Sequence, residues 1–165
     1  MNRQQKDSKI IVIMGVSGSG KTTVGKRIAQ LLDLPFYDGD DFHSLENVSK
    51  MKNGIPLTDE DRGPWLSTLA DLIEQHEKRG MILACSALKH RYRTLLDRNS
   101  NVFFVHLKGS YETIQKRIAE RNSHFMPATL LQSQFNNLES PEDAVEIDIE
   151  ETLDTIINQV MRVIR

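Results

Sequence analysis

Apolar runs and apolar stripes alternate along the chain. Ile10–Met14 is five apolar residues in a row, the pattern of a strand buried on both faces. Thr22–Leu32 follows with apolar positions at helical spacing, and Val24, Ile28, Ala29, Leu31 and Leu32 are expected to face inward. Leu34–Tyr37 reads as a short second strand running into Asp38-Gly39-Asp40-Asp41, and 43–53 reads as a helix ending in the turn Asn53-Gly54-Ile55-Pro56. A long helix begins at Thr58, where Thr58-x-x-Asp61 has the spacing of a capping box and Pro64 lies in the first turns. Its stripe is Trp65, Leu66, Leu69, Leu72 and Ile73, and Gly80 stops it. Met81–Cys85, Val102–Leu107 and Val145–Ile149 are the remaining expected strands. Helices are expected over 87–97, 111–121, 127–138 and 152–164. Strand alternating with helix, with several strands that are continuous apolar runs, predicts an α/β protein built on a parallel sheet covered on both faces. Ligands of such sheets bind beyond the carboxyl ends of the strands, so the residues just after each strand carry the functional information.

The first strand ends in the octet Gly15-Val16-Ser17-Gly18-Ser19-Gly20-Lys21-Thr22, which is G-x-x-x-x-G-K-[ST] between a strand and a helix. Glycines at these positions let the backbone curl until several N–H groups point inward, and the following helix adds its positive end. The ligand is therefore the phosphate tail of a nucleotide, with Lys21 at the β- and γ-phosphates and Thr22 on Mg²⁺. After the second strand come Asp38, Asp40 and Asp41. One acid can accept the proton of an acceptor hydroxyl while another holds Mg²⁺, and Asp40 is the preferred candidate for both roles. The competing role is a solvated acidic turn that caps the next helix, which suits Asp41.

Further along, His43, Lys50 and Arg62 offer positive or hydrogen-bonding groups for a small anion, the arginine with a fork suited to a carboxylate. Arg62 also neighbours Asp59, Glu60 and Asp61, so a surface ion pair is its alternative. At the third strand–helix junction Ser86 is either a helix cap or a ligand group, and Lys89 is a further candidate for the substrate, four residues before Arg93. Arg117 and Arg121 are also four apart and precede the break Asn122–Pro127, an arrangement suited to a lid over about 117–137 that brings positive charge to a moving phosphoryl group.

The chain has 165 residues and a formal net charge of −2, which suits one domain and gives no bulk attraction to nucleic acid or to an anionic membrane. Residues 1–8 read as a loose tail, and no stretch is long enough to cross a bilayer. Cys85 is the single cysteine, which excludes an intrachain disulfide, and its apolar neighbours make it a buried strand thiol. These properties fit a cytoplasmic enzyme. The third strand does not end in aspartate and no Asn-Lys-x-Asp guanine-reading motif occurs, which disfavours a signalling GTPase or a motor-type ATPase.

The motifs together resemble the gluconokinase family, thermoresistant bacterial type, within the small P-loop kinases that include shikimate kinase. The likeness covers nearly the whole chain, through GVSGSGKT at 15–22, DGDDFH at 38–43, KMKNGIPLTDEDRGPWL at 50–66, ACSALKHRYR at 84–93 and HFMPATLLQSQFNNLESP at 124–141. The octet alone is generic, whereas the later blocks are specific. The resemblance implies a P-loop three-layer fold with a five-stranded parallel sheet in the order 2-3-1-4-5, and commonly a homodimer. It implies ATP-dependent phosphorylation of D-gluconate at its 6-hydroxyl, with ATP and Mg²⁺ as the cofactor set. Asp40 falls on the second acid of a D-x-D element that contacts the acceptor hydroxyl, Arg62 on an arginine that holds substrate carboxylate, and Arg117 and Arg121 on lid arginines. Ser44 departs from the pattern, since many members carry proline after the histidine. Two other readings stand beside this one: a kinase of another small hydroxylated acid or of a nucleotide, and a nucleotide-sensing module without turnover.

Overall fold

The computed structural model describes residues 9–98, 101–121, 127–142 and 144–164. Five strands form one parallel sheet: β1 (Ile10–Met14), β2 (Phe36–Asp38), β3 (Met81–Ala84), β4 (Val102–Lys108) and β5 (Val145–Asp148), in the spatial order β2-β3-β1-β4-β5. The apolar runs are the reason for the central placement: all five residues of β1 and all four of β3 are buried. Helices α1 (Lys21–Leu32), α2 (Leu45–Lys52), α3 (Asp59–Gln75), α4 (His90–Leu96), α5 (Tyr111–Glu120), α6 (Ala128–Asn137) and α7 (Leu153–Ile164) complete the described elements, with a 3-10 turn at Gly39–Phe42. The α3 stripe is buried as its spacing demands, through Trp65, Leu66, Leu69 and Ile73, and packs into the same core as β1 and β3.

Register places the site. Asp38 pairs with Ala84, and Ala84 pairs with Ile13, so these three residues lie in one row at or next to the carboxyl ends of their strands. The residues one or two steps further along, Gly15, Asp40 and Ser86, therefore emerge side by side at the same edge. Two bonds fix this edge: Cys85 N–H donates to the Ile13 carbonyl (3.0 Å) and Gly15 N–H to the Ser86 carbonyl (3.3 Å). Gly39 is required by close approach, since a Cβ there would stand 2.8 Å from the Ala84 carbonyl oxygen.

Several local expectations change in detail. Leu31, expected inward, is 52% exposed in the last turn of α1. The second strand starts two residues later than expected and takes in Asp38. The helix expected from Ala87 begins only at His90, because Ala87 has φ +46°, outside the helical region. Neither Asp41 nor Ser86 is a cap. Asp38 caps the 3-10 turn by accepting from the Asp40 N–H, Ser44 caps α2 by accepting from the Asn47 N–H, and the Glu139 carboxylate accepts the His90 N–H at the start of α4. Serine in place of proline after His43 thus starts α2 with a side-chain cap. The capping box at the start of α3 forms in full, with Thr58 and Asp61 exchanging both bonds.

Candidate active site

Two cavities of about 340 Å³ each open at the carboxyl ends of the strands, and Ser17, Lys21 and Asp40 line both. The first is a phosphate cradle. Its walls include Ser17, Gly18, Gly20, Lys21, Thr22, Asp38 and Asp40. Gly18 and Gly20 have φ of +81° and +97°, which turns the loop tightly before α1. No side chain caps the start of α1 and no acid stands in its first turn, so the helix's uncommitted N–H groups and positive end face the cradle. Lys21 Nζ donates back to the Val16 carbonyl (3.0 Å). Desolvation on the cradle floor pushes the lysine's pKa down, against the opposing pull of Asp40 and Asp38.

Asp38 and Asp40 have different surroundings. Asp38 accepts the Thr22 hydroxyl through Oδ2 (2.9 Å) and the Asp40 N–H through Oδ1 (3.0 Å). The pair Thr22–Asp38 thus sets a hydroxyl beside a carboxylate, oxygen donors that suit a hard cation such as Mg²⁺. Asp40 bridges the two cavities. It remains reachable by water through the open cleft, yet the surrounding protein partly desolvates it, and this raises its carboxyl above the ordinary range while Lys21 pulls the other way.

The second cavity draws side chains from four separate segments: His43, Val48 and Met51; Pro56, Leu57, Arg62 and Trp65; Ser86 and Leu88; and Leu130, Ser133 and Gln134 of α6. Arg62 is 8% exposed. Its guanidinium donates to the Tyr92 hydroxyl (3.1 Å), and no carboxylate pairs with it among the described residues. The neighbouring acids are already neutralised. Asp61 takes Lys50 (2.7 Å), which together with the Thr58 N–H holds its carboxyl down at about 2, and Asp59 takes Lys89 (3.1 Å), Arg91 (3.0 Å) and the Tyr92 hydroxyl. The ion-pair alternative for Arg62 therefore does not form. A buried guanidinium with only a neutral phenol as partner is costly, and an anionic ligand in the cavity would relieve that cost.

The expected site residues thus divide. Lys21, Thr22, Asp40, His43, Arg62, Ser86 and Arg121 line one cavity or both. Lys50 and Lys89 line neither, because Asp61 and Asp59 hold their ammonium groups. Arg117 also lies away from the cradle walls, its guanidinium donating to the Ile149 carbonyl, whereas Arg121 stands on the cradle beside Ile118. Arg93, read as a like-charge neighbour of Lys89, is buried and ties the 87–88 loop to Glu139 through three carbonyls. Of the lid, residues 122–126 lie outside the described residues. Cys85 is buried, its thiol pushed up to about 12 by desolvation, as the strand-thiol reading expects.

Other site residues were not singled out in the sequence. Gln134 accepts the Ser17 N–H (2.7 Å) through Oε1 and donates to the Ser17 hydroxyl through Nε2 (3.2 Å), linking α6 to the cradle across 117 positions. Trp65 donates to the Gly39 carbonyl (2.8 Å) and stacks under His43 with ring centres 4.2 Å apart. The one available signal for Gln134 was its place in the 124–141 block.

A parallel sheet with a glycine-lysine cradle, an acid facing it and a second cavity lined by a buried arginine next door fits a small P-loop kinase. Comparison with known proteins agrees: the shikimate kinase family model matches residues 17–162. The thermosensitive gluconokinase of Escherichia coli K12 is 47% identical over 90% of this chain and 83% of its own length. The thermoresistant gluconokinase of the same strain is 38% identical over 100% and 98%. A solved gluconokinase structure from Sinorhizobium meliloti 1021 superposes with a TM-score of 0.85 at 41% identity, covering 94% of this chain and 90% of that one. The chain belongs to the gluconokinase family, within the shikimate kinase group.

Proposed function

We propose that this protein is a gluconokinase that moves the γ-phosphoryl group of ATP directly to the 6-hydroxyl of D-gluconate, giving 6-phospho-D-gluconate and ADP. The observation that carries this reading is the shared wall: Lys21 and Asp40 belong to both cavities, and the second cavity is also lined by the buried, carboxylate-free Arg62. A sugar acid has the matching polarity, a carboxylate at one end for Arg62 and a hydroxyl at the other for Asp40.

In this reading the triphosphate lies in the octet, Gly15, Val16, Ser17, Gly18, Ser19, Gly20, Lys21 and Thr22, with Lys21 at the β- and γ-oxygens. Thr22 and Asp38 hold Mg²⁺, with Asp40 close by, and the ion when bound neutralises charge on the phosphate oxygens. Asp40 orients the acceptor hydroxyl and takes its proton as the transfer proceeds. Arg121 adds positive charge from the end of α5, while Arg117 anchors α5 to the turn after β5. Lys50 and Lys89 act at one remove, by neutralising the acids beside Arg62. Gln134 holds the Ser17 amide and puts α6 over the acceptor cavity. No helix among the described residues is long and apolar enough to cross a membrane. The family resemblance supports a homodimer working in the cytoplasm.

A coupled assay of ADP formation tests the assignment across D-gluconate, L-idonate, shikimate and nucleoside monophosphates. Gluconate is expected to give the highest kcat/KM. Preference for shikimate or for a nucleotide would transfer the assignment to another small kinase.

A further inference from the structure

The chemistry left to His43 is decided by a residue behind it. Its imidazole is half-buried, lines the acceptor cavity and lies flat on Trp65, with 16° between the ring planes. Behind it stands Asn47, on the first turn of α2 and 5% exposed. Asn47 Nδ2 is 2.9 Å from the Asp61 main-chain carbonyl oxygen and 3.3 Å from His43 Nδ1. The carbonyl oxygen of Asp61 can only accept. That fixes the orientation of the amide, because the reverse orientation would set two oxygens against each other. The amide nitrogen therefore faces both neighbours, and its second hydrogen meets Nδ1. A nitrogen that accepts a hydrogen bond carries no proton of its own, so the proton of the neutral ring sits on Nε2.

We propose that Asn47 is a positioning residue: by donating to both the Asp61 carbonyl and His43 Nδ1, it locks His43 in the Nε2–H form and makes it a hydrogen-bond donor to the acceptor ligand. Among the described residues Nε2 has no protein partner, and the ring lines the cavity that holds Arg62. Burial and the Arg62 charge push the imidazole pKa down to about 4, so the ring is neutral at physiological pH and the choice of tautomer matters. The consequence is a division of labour. His43 donates a hydrogen bond to an acceptor oxygen, Arg62 meets the carboxylate, and Asp40 is left as the carboxylate, among the described residues lining the acceptor cavity, placed to receive a proton. A base role for His43 is excluded by the same geometry, since its one lone-pair nitrogen is turned to Asn47.

This inference rests on the acceptor-cavity reading for its ligand, but the tautomer itself does not. Two measurements separate the two. Long-range ¹H–¹⁵N correlation spectra of the full-length ¹⁵N-labelled protein at neutral pH, without ligand, read which ring nitrogen of His43 is protonated, with His43→Gln identifying the signals. The Nε2–H form is expected in the wild type, and a mixed or Nδ1–H population in Asn47→Leu. An Nδ1–H wild type would overturn the proposal, as would an Asn47→Leu spectrum unchanged from wild type. Kinetics with ATP and gluconate then compare His43→Gln, whose amide N–H reaches toward the Nε2 position, with His43→Phe, which keeps the ring and loses the donor. The phenylalanine variant is expected to raise the gluconate KM roughly five- to tenfold and the glutamine variant less than threefold, with the ATP KM steady in both. Equal losses in the two variants would overturn the donor role. If gluconate proves not to be the acceptor while the wild type shows Nε2–H, the function is misassigned and the tautomer lock stands.

Discussion

The two cavities meet at one carboxylate but are built by different means. Most of the cradle comes from one local stretch, Ser17, Gly18, Gly20, Lys21, Thr22 and Thr23, with Asp38, Asp40, Ile118 and Arg121 completing its walls, and its main chain takes its direction from glycine turns and from the start of α1. The acceptor cavity comes from side chains of four segments spread between His43 and Gln134, each held by a neighbour: His43 by Trp65 and Asn47, Arg62 by Tyr92, Ser86 by the Gly15–Ser86 bond. A main-chain cradle recognises any nucleoside triphosphate tail and tolerates little change. A side-chain cavity sets which hydroxylated acid is accepted, and each of its parts can be altered singly. Damage on the cradle side should therefore appear in kcat, and damage on the acceptor side in the KM for one substrate.

The sharpest challenge to this division is at the wall itself. Asp40→Asn is expected to lower kcat by about 10²- to 10⁴-fold with both KM values nearly unchanged, measured by steady-state ADP release. The sign of the pH effect follows from the raised carboxyl. Asp40 must be ionised to receive a proton, so the wild-type kcat/KM falls as the pH drops through its folded pKa, above the ordinary 3.8, and the asparagine variant loses that limb. Near-normal turnover in Asp40→Asn would give the proton to another group. Lys21→Ala comes next, with a loss of about 10²- to 10³-fold in kcat and an unchanged melting temperature, read by calorimetry beside the assay. On the acceptor side Arg62→Ala is expected to raise the gluconate KM by roughly ten- to a hundredfold and leave the ATP KM alone, since a charge-assisted hydrogen bond is worth about 1.5–3 kcal/mol and tenfold is about 1.4. Equal rises in both KM values would show that the cavities are not separable. The smallest effects belong to Lys50→Ala and Lys89→Ala. Their partly exposed ion pairs contribute little to stability, and the gluconate KM should move less than about threefold.

The same contrast explains what could be read from the sequence. Apolar runs for the central strands and an alternating apolar pattern for β5 placed the strands to within two residues, and the alternation of strand with helix pointed to the parallel sheet, because centrally buried strands need continuous apolar residues whatever their neighbours are. The octet was legible for a similar reason, since its geometry is local. Asp40 and Arg62 were marked as candidates by their positions after a strand and beside an acidic cluster, and both line the second cavity. The identity of their partners was not legible. Lys50 and Lys89 looked like ligand groups because spacing cannot tell that Asp61 and Asp59 capture them across 11 and 30 positions. Asp38 stood out only as one of three acids after the second strand, and its bond to the Thr22 hydroxyl depends on how α1 packs against β2. Gln134, Tyr92 and Asn47 carry no pattern of their own, and their roles come only from long-range packing.

One central claim unites these points: the phosphoryl group passes once, from nucleotide to sugar acid, across the wall shared by Lys21 and Asp40. The stereochemistry of transfer from ATP made chiral at its γ-phosphorus with sulfur and oxygen isotopes tests it most directly. A single in-line displacement predicts inversion at phosphorus in the phosphogluconate product. Retention would mean an even number of transfers through an intermediate carrier on the protein, and would contradict the account.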